Sequence, residues 1–129
     1  MINTPCVCLQ KCLELYRDKL GMKLLSIQDV SNYGFCLYFL AFTTDSPPCP
    51  GDLHSVANRE WLWQRPYTTL EVQYKPGASP CTPMTEDGEG VDHILVEVGE
   101  EAYSKVAGDL GEGGKYVDPD GVRLEIKKS

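Results

Sequence analysis

The sequence predicts an α+β fold in which one order of elements runs twice. Three observations carry this. A helical stretch near the start is followed by alternating, strand-like segments. A second helical stretch near residue 100 is again followed by strand-like segments, and a Pro- and Gly-rich loop over residues 75–90 separates the halves. The repeat is one of topology, since the halves share little identity. Module one is expected over about 1–78 and module two over about 90–129, within a single domain.

In chain order, a short strand comes first. Leu9, Cys12, Leu13, Tyr16 and Leu20 then recur at i, i+3, i+4, i+7 and i+11, with Lys11, Glu14, Arg17, Asp18 and Lys19 on the other faces, and Gly21 supplies a helix stop. Alternation from Met22 to Ile27 predicts a strand, Ser31-Asn32-Tyr33-Gly34 a turn, and the aromatic-rich run 35–42 a buried strand. Residues 43–66 read as a long loop, because Ser46-Pro47-Pro48-Cys49-Pro50-Gly51 cannot sustain regular structure. Trp61, Trp63 and Tyr67 predict that the far end of this loop packs onto something. In the strand 68–74, Leu70, Val72 and Tyr74 alternate with Thr69, Glu71 and Gln73.

The second half opens with a strand over 91–98, in which Ile94, Val96 and Val98 share one side. A helix is expected over 100–110, with Tyr103, Val106, Ala107 and Leu110 at helical spacing and a break at 111–114. Asp118-Pro119-Asp120-Gly121 predicts a turn, Pro presetting one dihedral and Gly accepting positive φ. The last strand, 122–126, sets Val122, Leu124 and Ile126 opposite Arg123 and Glu125.

Composition narrows the function classes. Hydrophobic residues are 42% and charged residues 24%, ordinary for a globular protein. Twelve basic against 19 acidic residues give a net charge of −7, which repels phosphate backbones and anionic lipid heads. Neither nucleic acid nor a membrane surface is an expected partner. No apolar run approaches the roughly 20 residues of a bilayer span, and the N-terminus lacks the basic start and apolar centre of a signal peptide. The expected location is cytoplasmic. Cys6, Cys8, Cys12, Cys36, Cys49 and Cys81 form no CxxC pair and read as free thiols in a reducing compartment. The spacing Cys6-x-Cys8-x-x-x-Cys12 could hold a soft metal, but it crosses a strand-to-helix transition and fits buried small hydrophobes better.

Three strand residues stand out as candidates for chemistry. Glu71, His93 and Glu125 each alternate against an apolar stripe, so all three are expected on the sheet face away from the helices. On a concave face they would converge, and two carboxylates with an imidazole suit Zn2+, and also Ni2+, Fe2+ or Mn2+. The same residues would also be unremarkable as solvated or hydrogen-bonded side chains on polar strand faces.

The chain resembles glyoxalase I (lactoylglutathione lyase), within the vicinal oxygen chelate superfamily. The likeness rests on Leu13-x-x-Tyr16-x-x-x-Leu20-Gly21-Met22, on Leu37-Tyr38-Phe39-Leu40-Ala41-Phe42, on Thr69-Leu70-Glu71, on His93-Ile94, and on Asp118-Pro119-Asp120-Gly121 followed by Leu124-Glu125-Ile126. It implies two βαβββ modules whose sheets close around a metal, here with the first strand truncated and the second module shortened. It further implies metal ligands Glu71, His93 and Glu125, with Glu125 as principal base and Glu71 as a ligand sharing proton transfer. The implied cofactor is Zn2+, with Ni2+ or another divalent ion as the alternative. The implied substrate is the hemithioacetal of methylglyoxal with glutathione as co-substrate, and a homodimer sharing the site is compatible with it. The family's first-strand ligand, counted back from Leu20-Gly21-Met22, falls on Met1, its basic clamp positions fall on Pro5 and Glu89, and its amide clamp position falls on Lys75. Arg65, Lys75 and Arg123 are the candidate substrate-binding cations. These departures keep a second reading open, a non-catalytic glyoxalase-fold protein that binds a metal or small molecule.

Overall fold

The computed structural model describes residues 2–6 (as backbone), 8–75, 94–118 and 122–129. It divides into two compact units. The first comprises residues 1–7 and 22–78, the second 8–21 and 79–129. The first helical stretch therefore groups with the second half of the chain, so the compact units are not a simple division of the sequence in two.

The first unit is built on a four-stranded sheet of order β1-β4-β3-β2, with β1 at Ile2–Cys6, β2 at Lys23–Val30, β3 at Phe35–Ala41 and β4 at Leu70–Tyr74. A five-residue β1 does form, parallel to β4, and the other pairs are antiparallel. The alternation in β2 is interrupted. Leu24 pairs with Leu40 and Ser26 with Phe39, so Leu25 is an extra, bulged residue, and Leu25 and Ser26 are both buried. That is why simple period-two reading of this strand fails after Leu24. The Ser26 hydroxyl is left buried without a hydrogen-bond partner among the described residues.

The segment 43–66 is not all loop. A helix, α1, spans Val56–Leu62, and the Ser55 side chain caps it by accepting a hydrogen bond from the Ala57 N–H at 3.3 Å. The Pro-rich stretch before it is shaped by Asn58, which is wholly buried. Its amide oxygen accepts from the Cys49 N–H at 2.7 Å, while its amide nitrogen donates to the Cys49 and Asp52 carbonyls at 2.8 and 2.9 Å. The Ile27 N–H donates to the Leu53 carbonyl at 2.9 Å, fastening the segment to the outer edge of β2. Leu62 of α1 joins Leu25, Phe39 and Ala41 in a buried cluster, against which Leu37, Trp61 and Tyr67 pack. The expected anchoring by Trp61 and Tyr67 is thus seen, whereas Trp63 remains exposed.

The second unit carries a three-stranded sheet of order β5-β7-β6, with β5 at Ile94–Val98, β6 at Lys115–Val117 and β7 at Arg123–Lys128. β5 is parallel to β7, and β6 is antiparallel to it. Ile94, Val96, Val98, Val122, Leu124 and Ile126 are buried as their alternation requires. A second helix, α2, spans Glu100–Val106, and a 3-10 turn at Ala107–Asp109 ends it earlier than the spacing to Leu110 suggests. Val106 is its one fully buried residue.

The stretch after Cys8 is α-helical only over Leu9–Leu13 and continues as a π-helix over Glu14–Lys19, where the Leu20 N–H reaches back to the Leu15 carbonyl at 2.9 Å. The wider turn rotates the buried stripe. Cys12, Leu15, Tyr16 and Leu20 are buried, while Leu9 and Leu13 are half-buried, so Leu15 replaces two residues that a regular 3.6 period selects. Gly21, at φ +87°, ends the element as expected.

Asp118 ties this helix to the last hairpin. It is buried, accepts the Tyr16 hydroxyl at 2.6 Å, and accepts the Val122 N–H at 2.8 Å while its own N–H bonds the Val122 carbonyl. The expected turn at Pro119-Asp120-Gly121 lies outside the described residues. A hydrogen bond to a charged group is worth about 1.5–3 kcal/mol. Tyr16→Phe is therefore expected to lower stability by about that much in urea unfolding, with no loss of secondary structure. A stability equal to that of the unsubstituted chain would remove the pair from the account.

Candidate functional site

Glu71 stands in β4 of the first unit. Its cross-strand partners are Phe39 on β3 and Asn3 on β1, and Ser26 continues the row beyond Phe39. Cross-strand partners share a face, so Glu71 lies on the side opposite Leu40, Leu70 and Val72. That side is not simply polar. Phe39 is 2% exposed beneath the cluster that α1 and Trp61 help to form, so apolar packing borders the half-buried Glu71 toward β3. The alternation in β4 sets Glu71 opposite Leu70 and Val72 as expected, but this is not the face away from the helices, because the segment 43–66 with α1 packs against its row partner Phe39.

Glu125 stands in β7, the central strand of the second unit, with Leu95 on β5 and Lys115 on β6 as partners. Leu95 is 53% exposed and Lys115 is exposed, so this face is open around a half-buried carboxylate. Arg123, two residues earlier on the same face, pairs with the exposed Val117 and is half-buried itself. The structure thus brings Glu125 and Arg123 together on one face. Glu71 belongs to the other unit, and His93 lies outside the described residues. Among the described residues, no three His, Cys, Asp or Glu form a metal-holding group.

Of the other candidate cations, Arg65 is engaged within the first unit. Its guanidinium lies 4.8 Å from the Trp61 ring centroid, and its Nε donates to the Trp61 carbonyl at 3.2 Å. Lys75, just past β4, is exposed. Sequence reading passed over the row partner Asn3. Only the strand register, which composition does not encode, reveals it.

One thiol has a defined setting. Cys36, cross-strand partner of Asp29, donates its S–H to the Asp29 carboxylate at 3.7 Å. Burial pushes the thiol up from its ordinary range, and the charge on Asp29 adds to this, while a hydrogen bond from the Ser31 N–H holds Asp29 low. Since the thiolate is the nucleophile, Cys36 is expected to alkylate slowly at neutral pH. Asp29→Asn should move the midpoint of its alkylation rate to lower pH, part of the way only, because burial is the larger cause. Mass-spectrometric pH profiles of iodoacetamide labelling measure this, and an unmoved midpoint would show that Asp29 plays no part.

No protein-family model matches the chain, and no curated protein matches it in sequence. Solved structures do. A glyoxylase/bleomycin resistance protein/dioxygenase domain from Frankia sp. EAN1pec superposes with a TM-score of 0.58 at 14% identity, over 97% of this chain and 91% of that one. The trypanothione-dependent glyoxalase I of Leishmania major gives 0.57 at 22% identity, over 99% and 85%. A glyoxalase family protein from Enterococcus faecalis gives 0.57 at 18% identity, over 97% and 90%. The chain therefore has the glyoxalase/vicinal oxygen chelate fold along nearly its whole length. Among the described residues, no helix is long and apolar enough to cross a membrane.

Proposed function

We propose that the protein is a metal-dependent isomerase of the glyoxalase I type, acting on the hemithioacetal of methylglyoxal and glutathione to give S-lactoylglutathione. The observation that carries this reading is the placement of Glu125, a half-buried carboxylate on the central strand of a sheet whose own face is open. The donor set of two carboxylates and an imidazole suits a divalent ion such as Zn2+ or Ni2+, with Glu71, His93 and Glu125 as its holders. When bound, such an ion supplies Lewis-acid stabilisation of charge developing on the substrate oxygens. Glu125 removes the proton from the carbon that bore the aldehyde and returns it to the neighbouring carbon, while the hydroxyl proton passes to the former ketone oxygen, so the hemithioacetal becomes a thioester and the ketone an alcohol with no net redox change. Glu71 orients the site and shares the proton. Arg123, on the Glu125 face, offers charge to the glutathione carboxylates, and Lys75 and Arg65 are weaker candidates, the latter already stacked on Trp61. A homodimer is compatible with this reading.

The second reading is a non-catalytic glyoxalase-fold protein that binds a metal or small molecule. It is favoured by Pro5, Lys75 and Glu89, which stand where the resemblance implies the family's substrate clamp. Thioester formation from methylglyoxal and glutathione, compared with heat-denatured protein, separates the two. Formation above the control supports the isomerase. A rate equal to the control with Zn2+ and with Ni2+ would leave the binding protein.

A further inference from the structure

In the second unit the row that holds Glu125 is lopsided. Glu125 on β7 has Lys115 as its partner on β6 and Leu95 as its partner on β5, so a cation stands on one side of the carboxylate and an apolar side chain on the other. Residues directly across an antiparallel pair have Cβ atoms about 4.5–5.5 Å apart on one face. A lysine stem spans that gap, which puts the ammonium within reach of a molecule seated over Glu125. The backbone of Lys115 is fixed for this. The Gly111 N–H donates to the Lys115 carbonyl at 2.8 Å, and Gly113 and Gly114, at φ +74° and +78°, turn the chain into β6. The side chain is exposed, in a chain whose net charge is −7. Of the cations on this face, Lys127 has Glu97 as its partner and Arg123 has Val117, whereas Lys115 is set against the proposed base itself.

We propose that Lys115 is a specificity-determining residue of the isomerase: it draws a carboxylate of the substrate's thiol moiety to the β6 side of Glu125 and leaves the Leu95 side to the uncharged carbons. The proposal rests on the isomerase reading for the reaction, but not for the placement of Lys115. The test is steady-state kinetics of full-length, metal-supplied protein with the hemithioacetal of methylglyoxal and glutathione. Lys115→Met keeps the stem and removes the charge. It is expected to raise KM about fivefold, the weight of an ion pair open to solvent, and to leave kcat within about twofold. Lys115→Arg should bring KM back. Lys128→Met, which removes the same charge from the opposite face of β7, should leave KM unchanged. High salt should erase the difference between Lys115→Met and the unsubstituted protein, because exposed charges are screened. A merely structural role would lower kcat and would not respond to salt in this way. An unchanged KM in Lys115→Met, an equal rise in Lys128→Met, or a rise that persists undiminished in high salt would each overturn the role of Lys115 and leave the isomerase reading intact. Absence of turnover by the unsubstituted protein would overturn both.

Discussion

Glu125→Gln is expected to abolish isomerase turnover while leaving the fold intact. Glutamine keeps the size and hydrogen-bonding reach of glutamate but cannot accept and return a proton. Loss of a positioned general base costs typically 10²–10⁴ in rate. The substitution sits on a half-buried position of a central strand whose register partners Leu95 and Lys115 are exposed, so little packing is disturbed. Glu97, exposed on β5 of the same sheet, is the matched control, and Glu97→Gln should leave the rate alone. The measurement is the rate at saturating hemithioacetal, with thermal unfolding beside it. Retention of the full rate in Glu125→Gln would take Glu125 out of the mechanism.

Gly114→Ala is expected to be the most damaging glycine-to-alanine substitution among the described residues of the second unit. Gly114 has φ +78°, which a residue with a Cβ adopts at a cost of about 1–2 kcal/mol. A Cβ built there would also run into the backbone carbonyl oxygen of Ile126, which cannot swing aside as a side-chain tip would. The combined loss should be about 3 kcal/mol or more, a large share of the roughly 5–15 kcal/mol that holds a domain folded. Gly113 separates the two causes. It has φ +74° but nothing within 4 Å of a built Cβ, so Gly113→Ala should lose only the conformational part. The clash also lies close to the candidate site, because Lys115, next to Gly114, is the register partner of Glu125. Urea midpoints of the two variants decide the matter, and equal losses would mean that the contact with Ile126 relaxes freely.

Much of the fold was legible because strands announce themselves by alternation. Leu70 and Val72, the triplet Ile94, Val96 and Val98, and the triplet Val122, Leu124 and Ile126 are all buried where period two puts them. The misses have separate physical causes. Helix α1 was hidden because its two buried residues are Leu62 and Asn58, and a buried amide satisfied by loop carbonyls leaves no hydrophobic signature. Leu15 falls outside the stripe that a regular period selects because the period widens at the π segment. The bulge at Leu25 likewise broke the alternation of β2. The candidate site was legible as residue types on strands, Glu71 and Glu125 foremost. Register was not, and with it the pairing of Asn3 with Glu71 and of Glu125 with Leu95 and Lys115, because a sequence states the period of a strand but not its offset against a neighbour.

Metal-dependent turnover is the most direct mark of the proposed isomerase. Protein stripped of metal and supplied with methylglyoxal and glutathione should form thioester at no more than the uncatalysed rate. Readdition of Zn2+ or Ni2+ should restore isomerisation, with the activity saturating at a fixed ratio of metal to chain. Thioester formation that is absent with every divalent ion tried, or that proceeds undiminished after stripping, would contradict the proposal of a metal-dependent isomerase.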